Sequence, residues 1–255
     1  MGILNLTPDS FSGDGLAGDI PAAVERALQM EAEGADILDL GGESTRPGAP
    51  PTPLEEELGR VLPVLEQLAG RVRVPLSIDT CKAEVARRAL ALGVSLINDV
   101  WGLKRDPALA RLAAEAGVPV VLASNQRDSP VAGDIVAAVR ADLDSIRKQA
   151  LGAGVPQENI ILDPGIGFGK TVAQNLGLVR RLEELKGLGQ PLLVGTSRKS
   201  FIGAVLDLPP GERLEGTAAT VAIAIARGAD IVRVHDVQAM VRVCRMSDAV
   251  LRARV

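Results

Sequence analysis

Polar and charged side chains stand directly after short apolar runs throughout this sequence. Asp79 follows Leu76–Ile78, and Asp163 follows Ile160–Leu162. The other positions of this kind are Asn5, Gly41–Gly48, Asn98-Asp99, Gly195–Ser200, Arg233 and His235-Asp236. If the apolar runs are parallel strands that close into one barrel, their carboxyl ends gather acids, amides and bases on one rim. The pattern therefore predicts a functional site at that rim.

Several of these side chains suit a planar, nitrogen-rich ring. Asp79, Asn98 and Asp163 can offer acceptors and donors to such a ring, because a carboxylate accepts two parallel N–H bonds from an amino-amidine edge. Lys199 would then reach a ring carbonyl or a ring nitrogen. We interpret these four residues as candidates for binding a heterocycle.

A second group of side chains suits an anion. Arg46, Arg233 and His235 supply cationic or donor groups, and Arg is favoured where a fork of donors holds phosphate. Asn5 and the loop backbone can hold a metal-bound phosphate, since hard cations take oxygen ligands. Ser200 opens the helix after the seventh strand, and a helix amino terminus suits a carboxylate or a phosphate.

Each residue also has an ordinary structural explanation when it is taken alone. Asp79 or Asp163 would cap the following helix, and Lys199 would be a surface side chain. The single histidine, His235, excludes a metal cluster built on several histidines. A Ser-His-Asp triad with Asp236 is formally open, although the sequence has no nucleophile-elbow pattern. Their joint position at strand ends favours a shared site.

Strands and helices must bring these side chains together. Apolar runs of strand length alternate with segments of helical spacing. We predict strands at Gly2–Leu6, Asp36–Leu40, Leu76–Ile78, Leu96–Asn98, Val120–Leu122, Ile160–Leu162, Leu192–Val194 and Ile231–Val234. We predict helices at Ala22–Glu33, Leu54–Leu68, Glu84–Leu92, Ala108–Ala116, Val136–Leu151, Leu176–Leu185, Ala218–Ala226 and Ala239–Leu251. Continuous apolar strands are typical of a parallel sheet covered by helices, so the pattern favours a (β/α)8 TIM barrel, with an open doubly wound sheet as the alternative.

The composition is that of one globular domain, which we expect to span residues 1–255. Apolar residues make up 47% and charged residues 24%, so a sizeable core can form. The net charge of -4 without a basic run argues against a nucleic-acid partner. Cys81 and Cys244 lack a metal or redox spacing and are expected to be thiols. The sequence has neither a long apolar segment nor a leader pattern, so we expect no membrane partner and a cytoplasmic location.

Seven segments of the sequence resemble the dihydropteroate synthase family in order and context. They are Gly2–Ser12, Gly41–Ala49, Ser77–Thr80, Ile97–Val100, Asp163–Lys170, Ser197–Ser200 and Arg233–Val237. The resemblance covers essentially the whole chain. It implies a pterin-binding TIM barrel and a transferase of folate biosynthesis, which condenses 6-hydroxymethyl-7,8-dihydropterin diphosphate with 4-aminobenzoate to give 7,8-dihydropteroate and diphosphate.

The resemblance also implies a role for each candidate residue. The pterin would be bound by Asp79, Asn98, Asp163 and Lys199, the diphosphate by Asn5, Thr45, Arg46, Arg233 and His235, and the aminobenzoate by Pro47, Phe168, Lys199 and Ser200. It implies Mg²⁺ as the cofactor with Asn5 as its ligand, a homodimer, and a target of sulfonamides.

The chemistry of the residues agrees with these roles. Breaking the bond to diphosphate leaves a cationic pterin methylene, which a carboxylate such as Asp163 can stabilise. Mg²⁺, Arg46, Arg233 and His235 would stabilise the leaving group. We therefore take Asp163, Lys199, Arg233 and His235 as the candidate catalytic residues.

The sequence departs from the family pattern in three places. The end of the fifth strand reads Ala123-Ser124-Asn125 where the family has Met-His-Met, which removes a bulky pocket lining. The first loop reads Ser-Gly-Asp-Gly at residues 12–15 instead of Ser-Asp-Gly-Gly. The chain starts almost at the first strand, without the amino-terminal extension usual in the family.

Two other functions remain open at this point. A pterin-dependent methyltransferase domain shares the barrel and the acidic pterin pocket, and a non-catalytic pterin-binding protein would use the same pocket without turnover. Ser44–Gly48 and Ser197–Ser200 argue against the methyltransferase, because methyl transfer needs no diphosphate clamp.

Overall fold

The structure of the chain is a computed structural model that describes residues 1–7, 15–16, 18–46 and 48–252. Eight strands alternate with helices over these ranges. The strands are β1 (Gly2–Asn5), β2 (Leu38–Gly41), β3 (Leu76–Asp79), β4 (Leu96–Asp99), β5 (Val120–Ala123), β6 (Ile160–Asp163), β7 (Leu193–Val194) and β8 (Ile231–Val232). The α-helices are α1 (Ile20–Ala32), α2 (Leu54–Leu68), α3 (Ala83–Ala91), α4 (Ala108–Ala116), α5 (Ile135–Gly152), α6 (Val172–Arg180), α7 (Ser200–Leu206), α8 (Leu214–Ala226) and α9 (Val237–Arg252). Three short 3-10 helices lie at Gln157–Asn159, Leu182–Leu188 and Pro210–Glu212.

The strands are parallel and close into a barrel. β1 to β6 pair in sequence order, and β7 pairs with β8. Single bridges join the two groups, one between Leu162 and Leu192 and the other between Gly2 and Val234. The Ile3 amide donates to the Val234 carbonyl at 3.0 Å across the second junction. The predicted barrel is therefore confirmed over the open doubly wound sheet.

The core has two layers because side chains alternate along each strand. One apolar cluster, formed by Met1, Leu96, Val121, Ile161 and Leu193, consists of residues in strands or directly before one. It fills the interior near the amino ends of the strands. A much larger cluster lies between the strands and the surrounding helices. With the lower interior filled by apolar side chains, the polar residues are left at the carboxyl ends.

Local capping explains where α6 begins. The Thr171 hydroxyl accepts from the Gln174 amide, and the Gln174 side chain accepts from the Thr171 amide, which completes a capping box. The helix therefore begins at Val172, four residues before the predicted start at Leu176, and it ends at Arg180 instead of Leu185.

The segment after β7 also differs from the prediction in length. The connection contains α7, a seven-residue helix that begins at Ser200 as expected, and then the longer α8, which starts at Leu214 instead of Ala218. Within the described ranges, no helix combines the length and apolarity needed to cross a membrane.

Candidate active site

A cavity opens at the carboxyl ends of the strands and gathers nearly every predicted site residue. Those that line it are Asn5, Thr45, Arg46, Asp79, Asn98, Asp163, Phe168, Lys199, Ser200, Arg233 and His235. Pro47 and most of the first loop, including residues 8–14, lie outside the described residues. The rim predicted from the strand ends is thus one continuous surface.

A buried ion cluster at this cavity connects β2, β3 and β4 with the end of β8. Arg233 Nε lies 2.6 Å from Asp39 Oδ2, and Arg233 Nη2 lies 2.7 Å from Asp79 Oδ2. Asn98 Nδ2 also donates to Asp39 Oδ2, at 2.9 Å. The Asp39 side chain is fully buried. The cluster fixes the orientation of one guanidinium and one amide that the sequence had assigned to substrates.

Asp39 is a residue that the sequence reasoning missed. It lies inside the apolar run of β2 and not at its end, so attention to strand ends passed over it. A signal was present nonetheless, because an acid flanked by Leu38 and Leu40 must face away from the helices and into the barrel.

Burial sets the proton affinities of the acids and bases in the site. It raises the pKa of Asp79, while the guanidinium of Arg233 opposes that rise. It raises the pKa of Asp163, opposed mainly by Lys199. Burial also lowers the pKa of Lys199 to about 8, against the attraction of Asp163. The site therefore holds a lysine that can exchange a proton near neutral pH.

The loop after β6 brings Asp163, Lys199 and Phe168 together. Asp163 Oδ1 accepts from the Gly165 amide at 2.7 Å, and Lys199 Nζ donates to the Ile166 carbonyl. Lys199 Nζ also lies 4.7 Å from the centre of the Phe168 ring. A Cβ atom at Gly167, where φ is +84°, would lie 2.9 Å from Lys199 Cδ, so the close approach of this lysine requires glycine there.

His235 and Asp236 have separate partners. His235 Nδ1 lies 2.9 Å from the Ser197 hydroxyl. Asp236 accepts two bonds from the Arg198 guanidinium, at 3.0 Å from Nε and 2.5 Å from Nη2. Asp236 is thus held by an arginine, and the geometry gives no support to a Ser-His-Asp triad.

A polar network replaces the bulky residues expected after β5. The Ser124 hydroxyl donates to Asp142 at 2.7 Å, and Lys170 Nζ donates to the carbonyls of Ser124 and Gly165, each at 2.8 Å. Burial lowers the pKa of Lys170 to about 7. The network ties the β5 end to the β6 loop. Arg127, which follows the same strand and was not among the predicted site residues, lies on the cavity wall.

Fold and site together define a pterin-binding enzyme of the α/β-barrel class. The model of a family described as "Pterin binding enzyme" matches residues 1–235. A dihydropteroate synthase of Bacillus subtilis is 51% identical over 251 residues, which cover 98% of this chain and 88% of that protein. The dihydropteroate synthase of Escherichia coli is 44% identical, and the matched region covers 100% of this chain and 92% of that protein. The chain therefore belongs to the dihydropteroate synthases of the pterin-binding enzyme family, and the predicted transferase class is confirmed.

Solved structures agree with this assignment. The dihydropteroate synthase of Xanthomonas albilineans with 4-aminobenzoic acid has a TM-score of 0.93 and 45% identity, covering 100% of this chain and 93% of that one. The Yersinia pestis dihydropteroate synthase with a sulfonamide drug has a TM-score of 0.95 and 42% identity, covering 99% and 94%. The methyltransferase and the non-catalytic binding protein considered above are thereby set aside.

Proposed function

We propose that this cavity condenses 6-hydroxymethyl-7,8-dihydropterin diphosphate with 4-aminobenzoate, giving 7,8-dihydropteroate and diphosphate. The observation that carries the proposal is the meeting of buried acids with several cations in one cavity, at the strand ends. The ligands named for the Xanthomonas albilineans and Yersinia pestis structures, 4-aminobenzoic acid and a sulfonamide, are ones this cavity would take. We further propose that residues 1–255 act as one domain and work in the cytoplasm.

The pterin would lie against Asp79, Asn98, Asp163 and Lys199. Asp163 is buried at the end of β6 and Asn98 at the end of β4, so both can reach the polar edge of one planar ring. A buried carboxylate that accepts ring N–H groups gains strength from the low dielectric around it. Lys199, whose pKa burial lowers to about 8, would still be mostly protonated at neutral pH and would donate to a ring acceptor.

The diphosphate would lie between Asn5, Thr45, Arg46, Arg233 and His235. The donor set fits Mg²⁺, because the Asn5 amide oxygen and diphosphate oxygens are hard ligands and Mg²⁺ usually keeps several waters and few protein ligands. Within the described ranges, no group of three acidic, histidine or cysteine side chains forms a cage for a metal. When bound, the ion would neutralise charge on the leaving diphosphate. In this proposal, oxygens of the bound diphosphate would complete the metal shell.

The aminobenzoate would lie at the mouth of the cavity, beside Phe168, Lys199 and Ser200, with Pro47 as a further predicted contact. In the reaction the aniline nitrogen attacks the pterin methylene, and the bond from that carbon to the diphosphate oxygen breaks. The amine then loses a proton to solvent or to a nearby base. The Asp163 carboxylate stabilises the positive charge that develops on the pterin, while Arg233 and His235 stabilise the departing anion.

A two-substrate assay tests the proposed reaction and the proposed metal together. We expect diphosphate release and dihydropteroate formation only when both substrates and Mg²⁺ are present, and loss of turnover in EDTA that Mg²⁺ restores. Asn5→Ala should raise the Mg²⁺ concentration needed for half-maximal rate by about 10-fold, as loss of one ligand group would. Diphosphate release without aminobenzoate at an equal rate would contradict the proposed condensation, and full turnover in EDTA would contradict the metal.

We also propose a homodimer formed through α8 and α9. Both helices carry exposed apolar side chains, with Met246 64% and Val250 70% exposed on α9 and Ile223 47% exposed on α8. Large apolar side chains exposed on two neighbouring helices favour a subunit interface. α8 and α9 also pack against each other, so one partner could cover both.

Sedimentation velocity tests the dimer. The unaltered chain is expected to sediment as a dimer at micromolar concentration, and Val250→Glu as a monomer with the same helical circular dichroism. The matched control is Val205→Glu, because Val205 is also exposed, at 55%, but lies on α7. A monomeric unaltered chain, or dimers that persist in Val250→Glu, would contradict this interface.

A further inference from the structure

Arg127 occupies a distinctive place on the wall of the active-site cavity. It follows β5 and is half-buried. Its guanidinium carbon lies 4.7 Å from the centre of the Phe168 ring, and Nη2 donates to the Thr45 carbonyl. One side chain therefore touches both the ring proposed to border aminobenzoate and the loop proposed to hold diphosphate.

The charge of Arg127 is not matched by a nearby carboxylate. Arg233 and Arg198 each form an ion pair within 3.0 Å, and Arg105 pairs with Asp128 at 3.0 Å. Among the residues that the structure describes, Arg127 has no acidic group within the 4.0 Å of an ion pair. Burial lowers its pKa, with only partial opposition from Asp128. A cation that has lost water without gaining a counter-ion is unfavourable, so the position is suited to an anion that arrives with a substrate.

The position of Arg127 in the cavity indicates which substrate anion it would bind. Arg46, Arg233 and His235 come from β2 and β8 and already suit the diphosphate. Arg127 reaches the cavity from β5 and lies on Phe168, and a guanidinium stacked on an aromatic ring keeps its in-plane N–H donors available for a carboxylate. A benzoate ring beside Phe168 would carry its carboxylate to these donors.

We propose that Arg127 binds the carboxylate of 4-aminobenzoate and makes the site selective for an anionic arylamine. The inference rests on the proposed function. Arg127 would form a charge-assisted fork with the carboxylate, while its bond to Thr45 holds the β2 loop beside the same substrate. An arylamine without the carboxylate, such as sulfanilamide, is uncharged and would form no ion pair with Arg127.

Steady-state kinetics with Arg127→Gln tests the proposal. We expect the KM for 4-aminobenzoate to rise at least about 10-fold, as loss of a charge-assisted hydrogen bond would cause. The inhibition constant of sulfanilamide and the KM for the pterin diphosphate should change by less than about 2-fold, within ordinary substitution effects. Arg127→Lys should recover much of the affinity for 4-aminobenzoate. Arg105→Gln, which removes an arginine stacked on Trp101 outside the cavity lining, is the matched control and should leave all three constants unchanged.

A stability measurement gives a readout that does not depend on turnover. Because the substitution removes a desolvated charge, the urea midpoint of Arg127→Gln without ligand should equal or exceed that of the unaltered chain. Arg127→Met, which keeps an apolar contact with Phe168, provides a second neutral variant and should show the same kinetic pattern. An equal loss of 4-aminobenzoate and sulfanilamide affinity, or a rise confined to the pterin KM, would overturn the inference and leave Arg127 a structural bridge. An inactive unaltered chain would instead overturn the proposed function.

Discussion

Arg233→Met is expected to unfold with a free energy about 3–5 kcal/mol lower than that of the unaltered chain and to lose turnover. The guanidinium is the shared partner of Asp39 and Asp79, at 2.6 and 2.7 Å. Without it, two buried carboxylates face each other across β2 and β3 with no cation between them. The variant would also lose activity, because Arg233 is proposed to bind the diphosphate.

Urea denaturation of Arg233→Met, compared with the same substitution at an exposed arginine, isolates the effect of burial. Arg181 forms ion pairs with Asp134 and Glu184 at 2.9 and 2.6 Å, but on the surface, so Arg181→Met should leave the free energy of unfolding nearly unchanged. A variant at position 233 as stable as that control would refute the prediction.

The pH dependence of the Arg233→Met variant provides its own check. Burial already raises the pKa of Asp79 to about 8 in the unaltered chain, and removing the Arg233 guanidinium, which opposes that rise, should raise it further. Above that value the unaltered chain has released the Asp79 proton while the folded variant still holds it, so the deficit of the variant should grow as pH rises beyond about 8. The part of the deficit that comes from Asp79 should vanish below that pH, because its carboxyl is then protonated in the folded state of both proteins.

Asp163→Asn is expected to lower kcat by about 10²–10³-fold, the range seen when one group that stabilises a transition-state charge is removed. An amide can still accept from the Gly165 amide through its oxygen, so the loop after β6 is retained. What is lost is the negative charge beside the developing pterin cation. The pKa of Lys199 should fall further, since attraction to Asp163 is what opposes burial there.

The rate of product formation at saturating substrate measures this effect, and a variant of a second aspartate serves as the control. Asp144, on the outer face of α5 and paired with Arg147 and Lys148, is the control, and Asp144→Asn should keep the normal rate. If Asp163→Asn keeps more than half of the normal kcat, Asp163 does not stabilise the transition state.

The site residues at strand ends were predictable because the carboxyl ends of parallel strands lie on the same side of the sheet. Asp79, Asn98 and Asp163 each follow a run of apolar residues, and this order alone placed them on one rim. Asp39 escaped the same reasoning because it lies within a strand. Its significance arises only when β8 closes beside β1 and carries Arg233 over it.

Arg127 illustrates the part that local pattern cannot supply. Its path is determined by contacts with Phe168 and the Thr45 carbonyl, which are distant in sequence and meet only in the folded barrel. The boundaries of α6 were misjudged for a simpler reason, since the capping box at Thr171 outweighed the apolar spacing that placed the start at Leu176.

The weakly paired junctions of the barrel have a thermodynamic consequence. β7 and β8 are two residues long, and single bridges join them to β6 and β1. Lys199 and Arg233 follow these strands, while their partners Asp163, Asp39 and Asp79 come from β6, β2 and β3. A ligand held by both sets spans the junctions, so its binding and the closure of the barrel are linked equilibria. Occupancy at 100 times Kd would add about 2.7 kcal/mol to stability and slow the exchange of strand amides with solvent hydrogen.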